Sequence, residues 1–428
     1  MTGKQKLRRY LIVVFWSSIL FTIGFSWFQI ERCIPNRISL VADEKNEFQF
    51  RFPFDITLMS DSEEVAIGNN SNIPSQEIRL QVDEPFSLYA KSEGTYRLGL
   101  KLFGTIQLKE IEVAVADTRY AVPCGAPAGI YLKSQGVMVI GTGRIALTDG
   151  QEMEPAAGLL HSGDYIEAIN GEPLKNKEAL ITNLNRIGES EALLRIRRSG
   201  ETMELRMNPV QAEDGNYKLG AWVRDDTQGI GTLTYLDDNG QFGALGHGIS
   251  DSDTGKLVET QEGALYETEI LGIEKGSAGN PGVMAGVIYY GSGSRLGSIV
   301  KNTDVGIFGT VDQKALKAFQ GEAIPVGYRQ DVSKGTAWLR SGVSGEIKDY
   351  EIEIQRVDYN PIHQNKGLVI KVIDEELLAL TGGIVQGMSG SPIIQDGKLV
   401  GAVTHVFIQD ATKGYGIFLE NMLNQAEN

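Results

Sequence analysis

The sequence contains little that could build a metal site or a disulfide framework. Its 428 residues include two cysteines, Cys33 and Cys124, and four histidines that lie far apart. Two cysteines are too few for a disulfide-rich scaffold, and no Cys/His spacing typical of a zinc site is present. We therefore predict a chain that needs no metal and no organic cofactor.

Clustered positive charge is also missing. The formal net charge is -15, and no long run of lysine or arginine occurs. Because binding to nucleic acid depends on clustered Lys and Arg side chains, the composition argues against a nucleic-acid-binding protein. Glycine, by contrast, is abundant with 51 residues, while aromatic residues make up 8%. At this length, such a composition favours about two to four turn-rich, mainly β domains.

A long apolar run near the amino end predicts a membrane anchor. Four basic residues precede the uncharged residues 10–30, which are about long enough to cross a bilayer. Basic residues on that side place the amino end in the cytoplasm. A cleaved signal peptide is the alternative, although the run is long for one and no small-x-small site follows. We predict a cytoplasmic tail and transmembrane anchor over residues 1–34, with the remaining chain outside the cytoplasm.

Residues 35–122 predict a small β domain. Apolar and polar residues alternate in residues 48–52, 96–102 and 111–115, which is typical of half-buried strands. Nothing in this region suggests catalysis. We expect it to serve as a spacer or as a docking surface.

Residues 123–210 resemble a PDZ domain. Ala-Gly-Leu at residues 157–159 is followed by Gly-Asp-Tyr-Ile-Glu-Ala-Ile-Asn-Gly at residues 163–171, and a helix and a strand are predicted next. In PDZ domains, the carboxyl end of a peptide adds as a strand beside a glycine-containing loop, whose N–H groups hold the carboxylate. An internal brace without ligand is the alternative, and polar residues 213–218 predict a linker to the next domain. The resemblance implies peptide binding at Gly129, Ile130, Tyr131 and Leu132.

The carboxy-terminal region, residues 219–428, contains a sequence pattern typical of a serine nucleophile. Residues 387–392 are Gly-Met-Ser-Gly-Ser-Pro, between two apolar runs. A serine hydroxyl needs a neighbouring base, and it needs N–H groups aimed at the carbonyl oxygen that it attacks. By analogy with chymotrypsin-like proteases, Gly387 and Ser389 would supply these N–H groups, and the hairpin predicted over residues 392–403 fits that barrel. An ordinary Gly/Ser loop between strands is the alternative.

His247 is the first choice for the general base. It stands between two glycines just after an apolar strand, and the glycines expose the imidazole ring to close approach. His405, which alternates with apolar residues in a predicted strand, is the second candidate. We expect structural roles for His161 and His363.

Two aspartates qualify as the acid that would orient this base. Asp304 lies between the histidine and the serine, at the spacing of a common chymotrypsin-like barrel. Asp374 ends an apolar strand shortly before Ser389. Either residue gives the chain order His, Asp, Ser, and the residues alone do not choose between them. An aspartate at a strand end is otherwise an ordinary turn residue or helix cap.

Together, these pieces resemble one family, the stage IV sporulation protein B peptidases of endospore-forming bacteria. The resemblance covers essentially the whole chain, and three stretches carry it most specifically. These are Gly-His-Gly-Ile-Ser-Asp at residues 246–251, Thr-Gly-Gly-Ile-Val-Gln-Gly-Met-Ser-Gly-Ser-Pro-Ile-Ile at residues 381–394 and Gly-Ala-Val-Thr-His-Val-Phe at residues 401–407.

The resemblance implies a fold, a site and a role. It implies a chymotrypsin-like serine peptidase domain in which His247 and Ser389 are catalytic, and it assigns the acid to Asp374, the aspartate ahead of the Thr-Gly-Gly stretch. Members of the family cross into the space between the two forespore membranes and cut themselves near the amino end. They also cut regulatory membrane proteins that hold an intramembrane protease inactive, and thereby trigger a late sigma factor.

The partners implied are protein substrates with extracytoplasmic segments, peptide carboxyl termini at the PDZ domain, and a membrane, with no nucleic acid. A non-catalytic PDZ scaffold that only binds peptides is the main alternative, because it would keep the anchor, the PDZ domain and the fold. A chaperone-protease that degrades misfolded chains would share the chemistry but differ in specificity.

Overall fold

The computed structural model describes residues 3–48, 56–68, 77–80, 86–102, 104–319 and 321–427. Strands dominate these ranges, which confirms the predicted mainly β fold class. The chain begins with helix α1 (Gly3–Cys33), in which Leu7–Arg32 is long and apolar enough to cross a membrane. At about 1.5 Å per residue this helix exceeds the roughly 30 Å hydrocarbon core of a bilayer. It is compatible with a membrane anchor or a signal sequence.

Among the described residues of the next region, eight strands follow α1 and form two sheets around one hydrophobic core. The strands are β1 (Arg37–Val41), β2 (Lys45–Phe48), β3 (Ile56–Ser60), β4 (Val65–Gly68), β5 (Glu77–Leu80), β6 (Phe86–Ala90), β7 (Gly94–Leu102) and β8 (Ile106–Ala116). The sheet orders are β1-β8-β7-β3-β5 and β2-β6-β4. The strands predicted over residues 96–102 and 111–115 are confirmed within β7 and β8, whereas most of the one predicted over residues 48–52 lies outside the described residues.

The next part of the chain contains an antiparallel sheet covered by one helix, as in a PDZ domain. Its elements are β9 (Tyr120–Pro123), β10 (Pro127–Thr142), β11 (Ile145–Ala146), β12 (Glu152–Met153), β13 (Tyr165–Ile169), β14 (Glu172–Pro173), α2 (Lys177–Ile187), β15 (Ala192–Arg198), β16 (Glu201–Met207), β17 (Val210–Gln211) and β18 (Tyr217–Lys218). Strands β16-β15-β13-β10 are consecutive neighbours in the sheet. Leu180 and Leu184 of α2 are buried in its core. We call this part the PDZ-like unit.

The predicted linker over residues 213–218 is instead part of a short hairpin. Strands β17 and β18 pair antiparallel, with Val210 opposite Lys218. The ring of Tyr217 packs against the core of the PDZ-like unit, which explains why this polar stretch is ordered against the domain.

The first barrel combines strands from both sides of the PDZ-like unit. Its further elements are β19 (Ala221–Leu236), β20 (Gln241–Ala244), β21 (Thr260–Tyr266), β22 (Thr268–Glu274), β23 (Val283–Ile288), β24 (Arg295–Thr303), β25 (Gly306–Val311), α3 (Gln313–Ala318) and β26 (Ile324–Pro325). Pairing runs β10-β21-β24-β25-β20-β19 and returns from β19 to β10, which closes a ring of six strands. The PDZ-like unit is thus inserted in this barrel, and its two connections are the long strands β10 and β19.

The second barrel is a closed ring in the order β27-β28-β29-β32-β31-β30. Its elements are β27 (Gly335–Ser341), β28 (Lys348–Val357), β29 (Leu368–Val372), α4 (Glu375–Thr381), β30 (Pro392–Gln395), β31 (Lys398–Phe407), β32 (Asp410–Phe418) and α5 (Leu419–Glu427). Asp396 and Gly397 have positive φ values of 51° and 76° in the turn between β30 and β31. This confirms the hairpin predicted over residues 392–403, with Asp-Gly as its turn. Tyr235, Leu399 and Ile417 are buried where the two barrels pack together.

Candidate active site

Ser389 stands on a tight loop between α4 and β30 that the first barrel holds in place. Gly390 has φ 96°, and an added Cβ there would lie 2.1 Å from the carbonyl oxygen of Thr232. The Thr232 N–H donates to the Ser389 carbonyl at 3.0 Å, and the Thr232 hydroxyl donates to the Gly387 carbonyl at 2.7 Å. Close approach between β19 and the serine loop therefore requires glycine at position 390.

The same loop presents two backbone N–H groups in a fixed direction. The carbonyl of Gln386 accepts a hydrogen bond from the Met284 N–H at 2.9 Å, and the carbonyl of Met388 accepts one at 2.9 Å from within the loop. In a trans peptide the N–H points away from the C=O. The N–H groups of Gly387 and Ser389 therefore point away from these bonds, and no backbone hydrogen bond among the described residues uses them. Two such donors can hold an oxyanion.

His247 follows β20 and lines the same cavity as Ser389. Its Nδ1 lies 2.9 Å from the carbonyl oxygen of Gly248. A carbonyl oxygen can only accept a hydrogen bond, so Nδ1 carries the proton and Nε2 is the acceptor nitrogen. Burial lowers the pKa of His247 below its usual 6.5, although the bond to Gly248 acts in the opposite direction. At neutral pH the ring is uncharged, which is the state that a general base requires.

The cavity lies between the two barrels and has a volume of about 560 Å³. The first barrel contributes Gln228, Gly229 and Ile230 of β19 beside the histidine loop, and the second barrel contributes the serine loop and the end of β31. The Ser389 hydroxyl donates to the Thr404 carbonyl at 2.7 Å. In this conformation the Ser389 hydroxyl is held by a backbone carbonyl of β31, in the cavity that His247 also lines.

His405 is the second imidazole of this cavity. Its ring centroid is 4.9 Å from that of His247. Loss of hydration, together with the neighbouring His247 and Lys366, lowers the pKa of His405 to about 4. It is therefore uncharged at neutral pH. His161 lies in the PDZ-like unit and His363 lies in the loop between β28 and β29, and neither lines this cavity.

Neither aspartate contacts the histidine in this conformation. The Asp374 carboxylate accepts hydrogen bonds from the N–H groups of Leu377 at 2.9 Å and Glu351 at 3.2 Å, and so caps helix α4. Asp304 is exposed in the turn between β24 and β25. Among the described residues, no hydrogen bond or ion pair joins His247 to either carboxylate. The Gly248 carbonyl holds Nδ1 instead, and no sequence signal points to that carbonyl.

The predicted peptide-binding strand needs a correction. Gly129, Ile130, Tyr131 and Leu132 lie in the barrel half of β10, where both edges are paired. Gly129, for example, is opposite Ile230 of β19 and also opposite Tyr266 of β21. A peptide cannot add to a strand whose two edges are already hydrogen-bonded. These four residues build the first barrel.

Metal ligands are not grouped anywhere in the described part of the chain, since no three His, Cys, Asp or Glu side chains come together there.

Two solved structures are similar to parts of this chain. The PDZ domain of the SdrC-like protein from Listeria monocytogenes is 20% identical, with 21% of this chain and 87% of that chain covered and a TM-score of 0.17. The Rv3671c protease from M. tuberculosis, in its active form, is 14% identical, with 47% and 74% covered and a TM-score of 0.28. No curated protein matches the chain in sequence. A family model described as SpoIVB peptidase S55 matches residues 215–423, which assigns this carboxy-terminal part of the chain to the SpoIVB peptidase family.

Proposed function

We propose that this chain is a membrane-anchored serine endopeptidase in which Ser389 is the nucleophile and His247 is the general base. The observation that carries the proposal is the shared cavity, in which a neutral imidazole with its acceptor nitrogen at Nε2 lies beside the serine loop. The family match supports peptidase activity in the same residues.

The chemistry follows from these groups. Ser389 exchanges its hydrogen bond to the Thr404 carbonyl for one to Nε2 of His247, and its Oγ attacks the scissile carbonyl carbon while Nε2 takes the proton. The N–H groups of Gly387 and Ser389 stabilise the negative oxygen that forms. His247 then gives the proton to the leaving amine as the C–N bond breaks. Water, activated by the same ring, hydrolyses the acyl-enzyme and restores Ser389.

The acid in this proposal is Asp374, which the family resemblance implies. Its role would be to stabilise the imidazolium that forms when His247 accepts the proton. In the present conformation the Gly248 carbonyl holds Nδ1 of His247, and the Asp374 carboxylate caps helix α4.

The proposed substrates are the chain itself, near its amino end, and regulatory membrane proteins with extracytoplasmic segments that control an intramembrane protease and a late sigma factor. Helix α1 supports an anchor from which the peptidase would act in the forespore intermembrane space. Peptide carboxyl ends would bind the PDZ-like unit.

The test compares the full-length wild type with Ser389→Ala and Ser391→Ala in detergent. Ser391 is a matched control because it lies in the same loop and, among the described side chains, its buried hydroxyl has no hydrogen-bond partner. A fluorophosphonate should label the wild type and Ser391→Ala, and both should trim their own amino end, whereas Ser389→Ala should do neither. Equal labelling and trimming of Ser389→Ala would refute the proposal. A non-catalytic PDZ scaffold predicts no labelling in any of the three.

A further inference from the structure

The cavity that holds Ser389 has two sides, which would contact different parts of a substrate. His247 must give its proton to the leaving amine, so the part of the substrate that leaves lies beside the histidine loop. The residue whose carbonyl carbon is attacked therefore lies on the opposite side, against the second barrel. We call this the acyl side. Four aliphatic side chains of the serine loop and of β31 and its end line it, namely Ile384, Val385, Val406 and Ile408.

The cavity offers no partner to a charged side chain. Of the described residues that line it, none is Asp, Glu, Lys or Arg. Burial lowers the pKa of both His247 and His405, so their rings are uncharged at neutral pH. Lys366, which acts on His405, lies over the ring of Tyr415 and does not line the cavity. Because a charge loses its hydration in such surroundings, the acyl side favours an apolar side chain.

Ile384 closes the inner end of the acyl side. Its N–H donates to the Ala411 carbonyl at 2.7 Å, and the residue is only 2% exposed. Gly414 of β32 lies opposite Val406, and an added Cβ there would be 2.6 Å from Cδ1 of Ile384. The end of the Ile384 side chain thus fills the space that glycine leaves open beside Val406. The recess between the serine loop and β31 is therefore shallow.

We propose that the acyl side accepts only a small aliphatic side chain, so that the peptidase cuts after alanine or valine, and that Ile384 sets this size limit. A phenylalanine side chain would need the space that Ile384 already fills, and a close-packed interior does not supply it elsewhere. The preference rests on the proposed function of Ser389, because the substrate side chain reaches the recess only when its carbonyl is presented to that hydroxyl.

The preference is tested on the full-length chain in detergent with acetylated aminoalkyl diphenyl phosphonates. Their side chains are those of alanine, valine, phenylalanine, lysine and glutamate. Oγ of Ser389 attacks the phosphorus, and one phenoxide leaves with the proton that His247 takes from the hydroxyl. Each labelling rate is divided by the rate with a fluorophosphonate, which carries no such side chain. The alanine and valine probes should react at least about tenfold faster than the other three. Equal rates for valine and phenylalanine, or for valine and either charged probe, would overturn the proposal.

The role of Ile384 is tested with Ile384→Ala and with Ile393→Ala as its matched control. Ile393 is buried in the same core but does not line the cavity, so the control removes the same atoms at another place. The rate ratio of the phenylalanine probe to the valine probe should rise at least about tenfold in Ile384→Ala. It should stay at the wild-type value in Ile393→Ala. An unchanged ratio in Ile384→Ala, or an equal rise in both variants, would refute the size limit. Should Ile384→Ala fail to fold, Ile384→Val must raise the ratio by a smaller factor, and an unchanged ratio there counts against the proposal.

The fluorophosphonate separates failure of this inference from failure of the proposed function. If it labels Ser389 while all five phosphonates react alike, the serine peptidase assignment stands and the size limit is wrong. If neither the fluorophosphonate nor any phosphonate labels Ser389, the proposed function is wrong, and the size limit falls with it.

Discussion

Replacement of Gly387 by alanine should impair the proposed oxyanion site while the protein still folds. Gly387 has φ 102°, and an added Cβ would lie 2.4 Å from Cε of Met284. A non-glycine residue in such a backbone conformation costs about 1–3 kcal/mol. The clash is with the end of a flexible methionine, which can move aside. We therefore expect a folded protein whose free energy of unfolding is lower by about 1–3 kcal/mol.

The expected loss of activity is larger than the loss of stability. When the 386–387 peptide turns to relieve the strain, the Gly387 N–H leaves the position that an oxyanion would need. Loss of one such donor costs about 2.7–4 kcal/mol of transition-state stabilisation, or roughly 10²–10³-fold in rate. The assay is the rate of Ser389 labelling by a fluorophosphonate, measured beside urea unfolding of the same preparation.

Gly397→Ala is the matched control. Gly397 has φ 76° in the hairpin turn, and no heavy atom lies within 4 Å of an added Cβ. It carries the same kind of backbone strain but does not line the cavity. Its stability should fall by a similar amount while the labelling rate stays at the wild-type value. If folded Gly387→Ala is also labelled at the wild-type rate, the Gly387 N–H is not an oxyanion donor.

Three further predictions concern the base, the acid and the PDZ-like unit. Because burial lowers the pKa of His247, its imidazole stays neutral below pH 6.5. The rate of Ser389 labelling, which falls as the pH is lowered, should therefore reach half its maximum at a pH below 6.5. A half-maximal rate above pH 6.5 would contradict this. Asp374→Asn keeps a side-chain oxygen that can cap helix α4, so the free energy of unfolding should fall by only about 1 kcal/mol, while the rate of fluorophosphonate labelling falls by roughly 10⁴-fold. Asp304→Asn should be labelled at the wild-type rate. Wild-type labelling of Asp374→Asn would remove Asp374 from the mechanism. Arg198→Met removes the two hydrogen bonds, of 2.7 and 2.8 Å, that Arg198 donates to the buried carboxylate of Asp164, and leaves it with the bond from the His161 N–H. Urea unfolding should show a loss of about 3–5 kcal/mol in the free energy of unfolding, and a loss under about 1 kcal/mol would contradict the pairing.

Local sequence patterns were sufficient for features that neighbouring residues create. The Asp396-Gly397 turn, the strands over residues 96–102 and 111–115, and the apolar helix near the amino end were all predictable, because each depends on residues close together in the chain. The glycines beside Ser389 and His247 also marked both loops, since their conformations depend on the lack of a Cβ.

Strand neighbours were not predictable in the same way. Gly129–Leu132 has the alternation of any half-buried strand. Nothing in it shows that β19 and β21, whose residues Ile230 and Tyr266 lie opposite Gly129, occupy both of its edges. The same long-range pairing turns β10 and β19 into strands shared by two units.

In the candidate site, too, local patterns and long-range packing determine different features. Motifs identified Ser389 and His247, but the packing of two barrels puts them in one cavity, and it places the Gly248 carbonyl on Nδ1 while Asp374 caps a helix. Periodicity and glycine spacing report how a residue sits in its own strand or turn. Which distant strand, carbonyl or ring lies against it depends on the pairing and packing of the whole chain, and that information is not contained in any short stretch of it.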